Sequence, residues 1–196
     1  MTDTDRTATH EGGRDAPRHR FKRYAVGLAA GAAVGLAVAP APAFAQPFGP
    51  GACSGNCFYA DNSIETFYYS GLTVGDVAAM EYARSTRLES TDMTTQLQGS
   101  SNSDTDVITY DDNYGDNGYI AWWRCDALVA GSSTKCGQGH IVINLYHGTG
   151  TYPVTCQEVG HAVGLDHSTL TGSCMHNPAT SNDYDTHDRG HINGYY

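Results

Sequence analysis

The sequence predicts an α+β domain, an α/β arrangement in which two long helices pack on a small twisted mixed sheet. Three observations indicate this class. Apolar residues recur at helical spacing over 73–97, three short β-branched or aromatic segments follow, and a second helical segment ends at a glycine. These elements fit in about 150 residues, which is the usual size of one domain.

The first 45 residues have the composition of an export signal. A basic segment precedes an apolar run over 24–38, and the small residues of a cleavage site follow over 43–45. The apolar run is short for a membrane span. We therefore predict a signal peptide over 1–45 and a secreted, extracellular protein that does not associate with membranes after cleavage. An uncleaved N-terminal anchor is the alternative interpretation.

The elements after this leader are predicted in order. Residues 46–64 are rich in Gly and Pro and indicate an irregular arm, and 65–196 form the folded domain. The helical spacing predicts a long amphipathic helix over 73–97. The segments typical of strands lie at 107–110, 119–124 and 140–146, and the second helix is predicted over 152–163 because Pro153 suits a first helical turn.

The loop over 111–117 is acidic and rich in turn-forming residues. Its carboxylate and amide oxygens are of the kind that hold Ca²⁺. Their spacing does not fit an EF-hand loop, so a solvated turn is the favoured interpretation of this segment.

The chain is acidic, with 11 basic and 21 acidic residues and a formal net charge of −10. Without the predicted leader, five basic residues stand against seventeen acidic ones. Nucleic acids and anionic membranes require a basic surface, so the composition excludes both as partners. Divalent cations are compatible with this negative charge. Separately, we expect the protein to be a monomer.

The second helix and the turn after it carry the candidate chemistry. Gln157 and His161 are four residues apart, so both side chains lie on one helix face. Glu158 lies about 100° further round, where a general base would flank a metal ion. Gly164 suits the left-handed conformation that ends a helix, and the chain then returns at His167.

Residues 161–168 resemble the metal segment of the matrixins, the branch of the metzincin proteases that includes the matrix metalloproteases. The family pattern is H-E-x-x-H-x-x-G-x-x-H, and Gln157 stands here in place of its first histidine. The resemblance implies a zinc site with His161, His167 and Gln157 as ligands and Glu158 as the base.

The resemblance continues over about 72–196 and is weaker outside the metal segment. Met175 lies where the family has its Met-turn, which forms a hydrophobic floor under the metal in a C-terminal subdomain. The strand at 139–144 resembles the edge strand along the substrate cleft, and 187–195 is similar to the C-terminal helix. Polypeptide substrates are therefore expected to lie extended along 140–146.

The six cysteines follow the predicted leader, and an even number in an exported chain indicates disulfides. We favour local pairs because each joins segments that the motif already brings together. These pairs are Cys53 with Cys57, Cys125 with Cys136, and Cys156 with Cys174. A structural zinc site is the competing interpretation of the first pair, but a second close cysteine pair is missing.

Together these features predict a secreted, zinc-dependent metalloendopeptidase. The amide oxygen of Gln157 is a weaker zinc donor than an imidazole, so His147 and His176 are candidates for a substitute ligand. The alternative is a catalytically impaired pseudoprotease that keeps the fold and uses its cleft for binding. A third hypothesis is a disulfide-linked adhesive domain that uses its acidic loops.

Overall fold

The structure is a computed structural model that describes residues 48–50 and 57–196. The predicted signal peptide over 1–45 lies outside the described residues, as do Cys53 and much of the arm over 46–64. Within the described ranges, no helix combines the length and the apolar character needed to cross a bilayer.

A mostly parallel sheet forms the centre of the domain. Its strands in the described part of the chain are β1 (Tyr59–Ala60), β2 (Ile64–Tyr69), β3 (Thr94–Gln98), β4 (Val107–Asp112), β5 (Ala121–Leu128) and β6 (Lys135–Asn144). Their order across the sheet is β3-β2-β4-β6-β5, and β1 pairs with the start of β6. Every pairing is parallel except that of β5 with β6. The α+β class predicted from the sequence is confirmed at this level.

Strand β6 is an inner strand, so the prediction that 140–146 forms the edge strand is wrong. It pairs with β4 on one side and β5 on the other, and the strand ends at Asn144. Its last four residues, Ile141 to Asn144, are all buried. A strand covered on both faces buries successive residues rather than alternate ones. The edge strand on this side is β5.

The first long helix is shorter than predicted. Helix α1 (Val74–Glu81) begins at the N-cap Thr73 and continues as a π-helical segment (Tyr82–Arg87) and a 3₁₀ turn (Leu88–Ser90). The residues predicted to extend it form β3 instead, and β-branched Thr94 and Thr95 favour that conformation. Strands β2 and β1 were also not predicted, and β1 lies within the segment predicted as an irregular arm.

Two further helices confirm the sequence predictions. Helix α2 (Tyr152–Ala162) carries Pro153 in its first turn. Helix α3 (Thr186–Tyr195) begins at Asp185, whose carboxylate accepts the backbone N–H groups of His187 and Asp188.

The core contains side chains from all three described helices and from the sheet. Its largest buried side chains include Phe67, Met80, Leu88, Ile141, Ile143, Val159, Leu165, Met175, Tyr184 and Ile192. Two disulfides reinforce this arrangement and confirm two predicted pairs, Cys125–Cys136 between β5 and β6, and Cys156–Cys174 between α2 and the segment before α3. The third predicted pair includes Cys53, which lies outside the described residues.

Candidate active site

A cavity of about 550 Å³ opens between α2 and the edge strand β5. Its walls come from α2 and the turn after it, from the segment that leads into β5, and from residues 177–179. The polar residues predicted for the site, Gln157, Glu158, His161 and His167, all line this cavity. The structure therefore brings the four predicted residues together.

The turn after α2 places the two imidazoles beside each other. Gly164 has a φ of +100°, a conformation that strains residues with a side chain, and its N–H donates to the carbonyl of His161 over 3.1 Å. The ring centroids of His161 and His167 are 4.8 Å apart, and their planes are inclined by 74°. This geometry matches the predicted helix end and return of the chain.

The ring of His161 is oriented by a backbone acceptor. Its Nδ1 lies 2.8 Å from the carbonyl oxygen of Leu165, so we assign the ring proton to Nδ1. The Nε2 atom then carries the lone pair, which is the arrangement typical of a metal-binding histidine with an outer hydrogen bond. Burial lowers the pKa of His161 to about 4, and the neighbouring His167 acts in the same direction. At neutral pH the ring is therefore neutral, as a metal ligand must be.

Gln157 is buried, with 8% of its surface exposed, and its amide is already engaged on one side. The Nε2–H group donates to the backbone carbonyl of His176 over 3.0 Å. Since a primary amide has one oxygen and one nitrogen, this bond leaves Oε1 as the atom that could face a cation. The two substitute ligands proposed from the sequence do not line the cavity: His147 lies near Asp116, and Nδ1 of His176 lies near the carbonyl of Pro178.

Glu158 is the buried acid of the site, with 5% of its surface exposed. Burial raises the pKa of its carboxyl to about 8, and a hydrogen bond with the backbone of Trp123 opposes this shift. A carboxyl with a pKa near neutrality is suited to accept and return a proton. A cation bound next to it would favour the ionised form.

Met175, expected from the resemblance to form the floor of the site, is packed against α2 at Gly160 and does not itself line the cavity. Met175 is fully buried against α2. A Cβ atom at position 160 would lie 2.3 Å from Sδ of Met175 and 3.0 Å from a ring carbon of Tyr184. The hydroxyl of Tyr184 donates to the carbonyl of Cys156 over 3.0 Å, and Cys156 is joined by a disulfide to Cys174, the residue before Met175. Gly160 and Tyr184 were not identified from the sequence, although a glycine within a helix is a signal of close packing.

The donor set fits a zinc ion with three protein ligands of unequal strength. His161 and His167 supply imidazoles, which zinc prefers, and Gln157 supplies a neutral oxygen. Among the described residues, no third His, Cys, Asp or Glu lies close enough to these two rings to form a three-ligand group with them. The third position therefore depends on Gln157.

The loop considered for Ca²⁺ is organised by a side chain outside it. The buried amide of Asn144 donates to the carbonyl of Gly115 over 2.9 Å and to Oδ1 of Asn117 over 3.1 Å, and its oxygen accepts the N–H of Tyr114. Some oxygens that could face a cation are thus engaged by protein donors. These bonds support the interpretation of the segment as a hydrogen-bonded turn.

Comparisons with known proteins do not identify a family. No protein-family model matches the chain, and no curated protein matches it.

Proposed function

We propose that this protein is a secreted zinc-dependent endopeptidase with a matrixin-like fold. The observation that carries the proposal is the gathering of Gln157, Glu158, His161 and His167 around one cavity beside an edge strand. His161 and His167 would hold the ion, with Gln157 as the weaker third ligand. The types of these side chains and their arrangement support both zinc as the metal and peptide hydrolysis as the reaction.

The cavity and its edge strand suit an extended polypeptide. In the described part of the chain β5 pairs only with β6, so its outer edge can accept main-chain hydrogen bonds from another strand. Trp122 of β5 lines the cavity together with Tyr119 and Ile120, which are 63% and 47% exposed. Substrates would therefore align with β5, and not with the inner strand β6.

Each residue of the site would have a separate role in hydrolysis. A bound zinc ion would polarise a peptide carbonyl and lower the pKa of water at the site. Glu158 takes a proton from the attacking water and passes it to the amine that leaves. The Leu165 carbonyl holds the His161 ring in place, and Met175 supports the helix turn that carries it.

One variant tests the role of the acid. Glu158→Gln preserves the shape of the side chain but cannot accept the proton, so we expect cleavage of casein to fall by about 10²- to 10⁴-fold. Zinc bound per chain should remain as in the unchanged protein, because Glu158 is not a proposed ligand. The matched control is Glu89→Gln, which changes a glutamate away from the cavity and should leave the activity unchanged. Full activity of Glu158→Gln would refute the proposed mechanism.

The residue type at position 157 favours the pseudoprotease alternative, because the neutral amide oxygen of Gln157 is a weaker zinc donor than an imidazole nitrogen. Gln157→His distinguishes the two functions. For an enzyme we expect measurable zinc binding and cleavage in the unchanged protein, with zinc affinity raised at least about tenfold in the variant. For a binding domain, the unchanged protein would neither cleave nor hold zinc in the cleft, and both properties would arise only with the new imidazole.

A further inference from the structure

The start of α3 gathers a second group of metal-binding side chains, on a different element from the cavity residues. Asp185 is the N-cap of this helix, and His187 and Asp188 lie in its first turn. One ligand atom from each of these three residues lies within 4.8 Å of the others. The group combines an imidazole with two carboxylates, which is a donor set found around divalent transition metals.

Helix capping explains only half of this group. Oδ1 of Asp185 accepts the backbone N–H groups of His187 and Asp188, while Oδ2 of Asp188 accepts from Ser173 and from the N–H of Asp185. These bonds form a capping box and account for one oxygen of each carboxylate. They do not require a histidine at position 187.

The remaining atoms of the group are buried and lack partners among the described residues. They are Oδ2 of Asp185, Oδ1 of Asp188 and Nδ1 of His187. The side chain of Asp188 is fully buried, so water does not reach its second oxygen. A buried polar atom without a hydrogen-bond partner destabilises the folded state, so three such atoms within one group of neighbouring residues call for a ligand.

An ion pair within the group does not replace this ligand. The described residues show no salt bridge between His187 and either carboxylate, although the three ligand atoms are neighbours. His191 lies one turn further along α3, with its ring centroid 4.5 Å from that of His187. It is not a member of the three-ligand group, and its ring stacks on Phe48 at 5.2 Å.

We propose that Asp185, His187 and Asp188 form a second site for a divalent transition-metal ion, with zinc as the ion that this donor set favours. Carboxylates alone would suit Ca²⁺ or Mg²⁺, whereas the imidazole shifts the preference to zinc. Two negative charges also offset the positive end of the α3 dipole, which would otherwise repel a cation.

A metal at this position would stabilise the segment that carries Met175. Asp188 accepts the hydroxyl of Ser173, and Oγ of Ser173 accepts the backbone N–H of Met175 over 2.8 Å. An ion held by Asp188 would therefore fix the first turn of α3 against the segment that carries Met175. The site is structural and does not depend on the proposed protease activity.

The test measures the number of zinc ions bound per chain. The protein carries no histidine tag, and its metal is first removed by a chelator before zinc is added back. The cavity is first disabled by His161→Ala with His167→Ala, so that failure of the proposed function does not affect the result. We expect this protein to bind one zinc per chain and to melt at a higher temperature when zinc is present.

Asp185→Asn is then added, because asparagine is as good an N-cap as aspartate and the helix should persist. We expect the affinity for zinc to fall by a factor on the order of 100, and the zinc-dependent rise in melting temperature to disappear. His187→Ala should give the same loss. His140→Ala is the matched control, since it removes a histidine that is paired with Asp126 and lies outside both groups.

Two results would overturn the second site. One is that the cavity-disabled protein binds no zinc. The other is that it binds one zinc which Asp185→Asn and His187→Ala do not weaken. If disabling the cavity prevents folding, the comparison of the otherwise unchanged protein with Asp185→Asn decides, because a zinc titration must then show the same loss of affinity at one site.

Discussion

Adding one methyl group to α2 should destabilise the protein, although the same change is favourable in most helices. The substitution is Gly160→Ala. A Cβ atom there would lie 2.3 Å from Sδ and 3.2 Å from Cε of Met175, and 3.0 Å from a ring carbon of Tyr184. Both side chains are buried, so neither can turn into solvent to make room.

The magnitude follows from two opposing terms. Alanine is favoured over glycine in a helix interior by about 1 kcal/mol. Inserting a methyl group into a close-packed core costs about 1–3 kcal/mol, and the contacts at position 160 are far shorter than van der Waals distances. Because these contacts are so short, we expect a cost of about 2–3 kcal/mol, so the free energy of unfolding should fall by about 1–2 kcal/mol.

The assay is urea unfolding followed by circular dichroism, with Gly190→Ala as the matched control. Gly190 lies inside α3 and is exposed, and a Cβ atom there would meet nothing within 4 Å, so this change should stabilise the protein by about 1 kcal/mol. Met175→Ala should then relieve part of the penalty in the double variant, with a coupling of about 0.5–3 kcal/mol. If Gly160→Ala stabilises the protein as much as Gly190→Ala does, Met175 does not pack closely against α2 and the reasoning is refuted.

Two other predictions concern links between α2 and the rest of the domain. Replacing both Cys156 and Cys174 by alanine should lower the free energy of unfolding by about 3 kcal/mol, because the disulfide closes a short loop, and an unchanged urea midpoint would contradict this. Asp76 in α1 accepts the backbone N–H of Gly150, just before α2. Burial, together with the hydrogen bond that its protonated form donates to Asp111, raises the pKa of Asp76 to about 6. Between pH 4 and 6 the folded protein thus keeps a proton that the unfolded chain releases, so this group makes stability fall as the pH rises. Asp76→Asn should flatten that part of the urea-midpoint profile, and an unaltered slope would refute the assignment.

Local patterns predicted the cavity side of the domain well. Helix α2 and its glycine end at Gly164 depend on short-range preferences, so one sequence suffices to identify them. Helix α3 was expected from the resemblance of 187–195 to the C-terminal helix of the matrixins. The two confirmed disulfides, Cys125–Cys136 and Cys156–Cys174, also join segments near each other in the sequence. Short sequence separation is the feature that these predictions share.

Predictions that depended on the neighbours of a strand were wrong or missing. The residues of β6 do not reveal whether one side or both sides of the strand are paired, and the strand was assigned to the edge. Strand β3 continues a helical apolar pattern, so periodicity alone extended the first helix over it. Likewise, the group around His187 was identified from side-chain atoms that lack hydrogen-bond partners, and only the three-dimensional structure shows which atoms these are.

The Cys125–Cys136 bond has a consequence for the environment in which the protein can work. It joins the outermost strand, beside irregular pairing between Cys125 and Leu128, to its inner neighbour. A polypeptide that docked on β5, as proposed, would apply force to a strand that is hydrogen-bonded to β6 alone among the described strands. In a reducing compartment this anchor would be lost, and the docking edge could detach while both imidazoles stay in position. The proposed docking of a polypeptide on β5 would thus require an oxidising environment, where thiols are kept as disulfides.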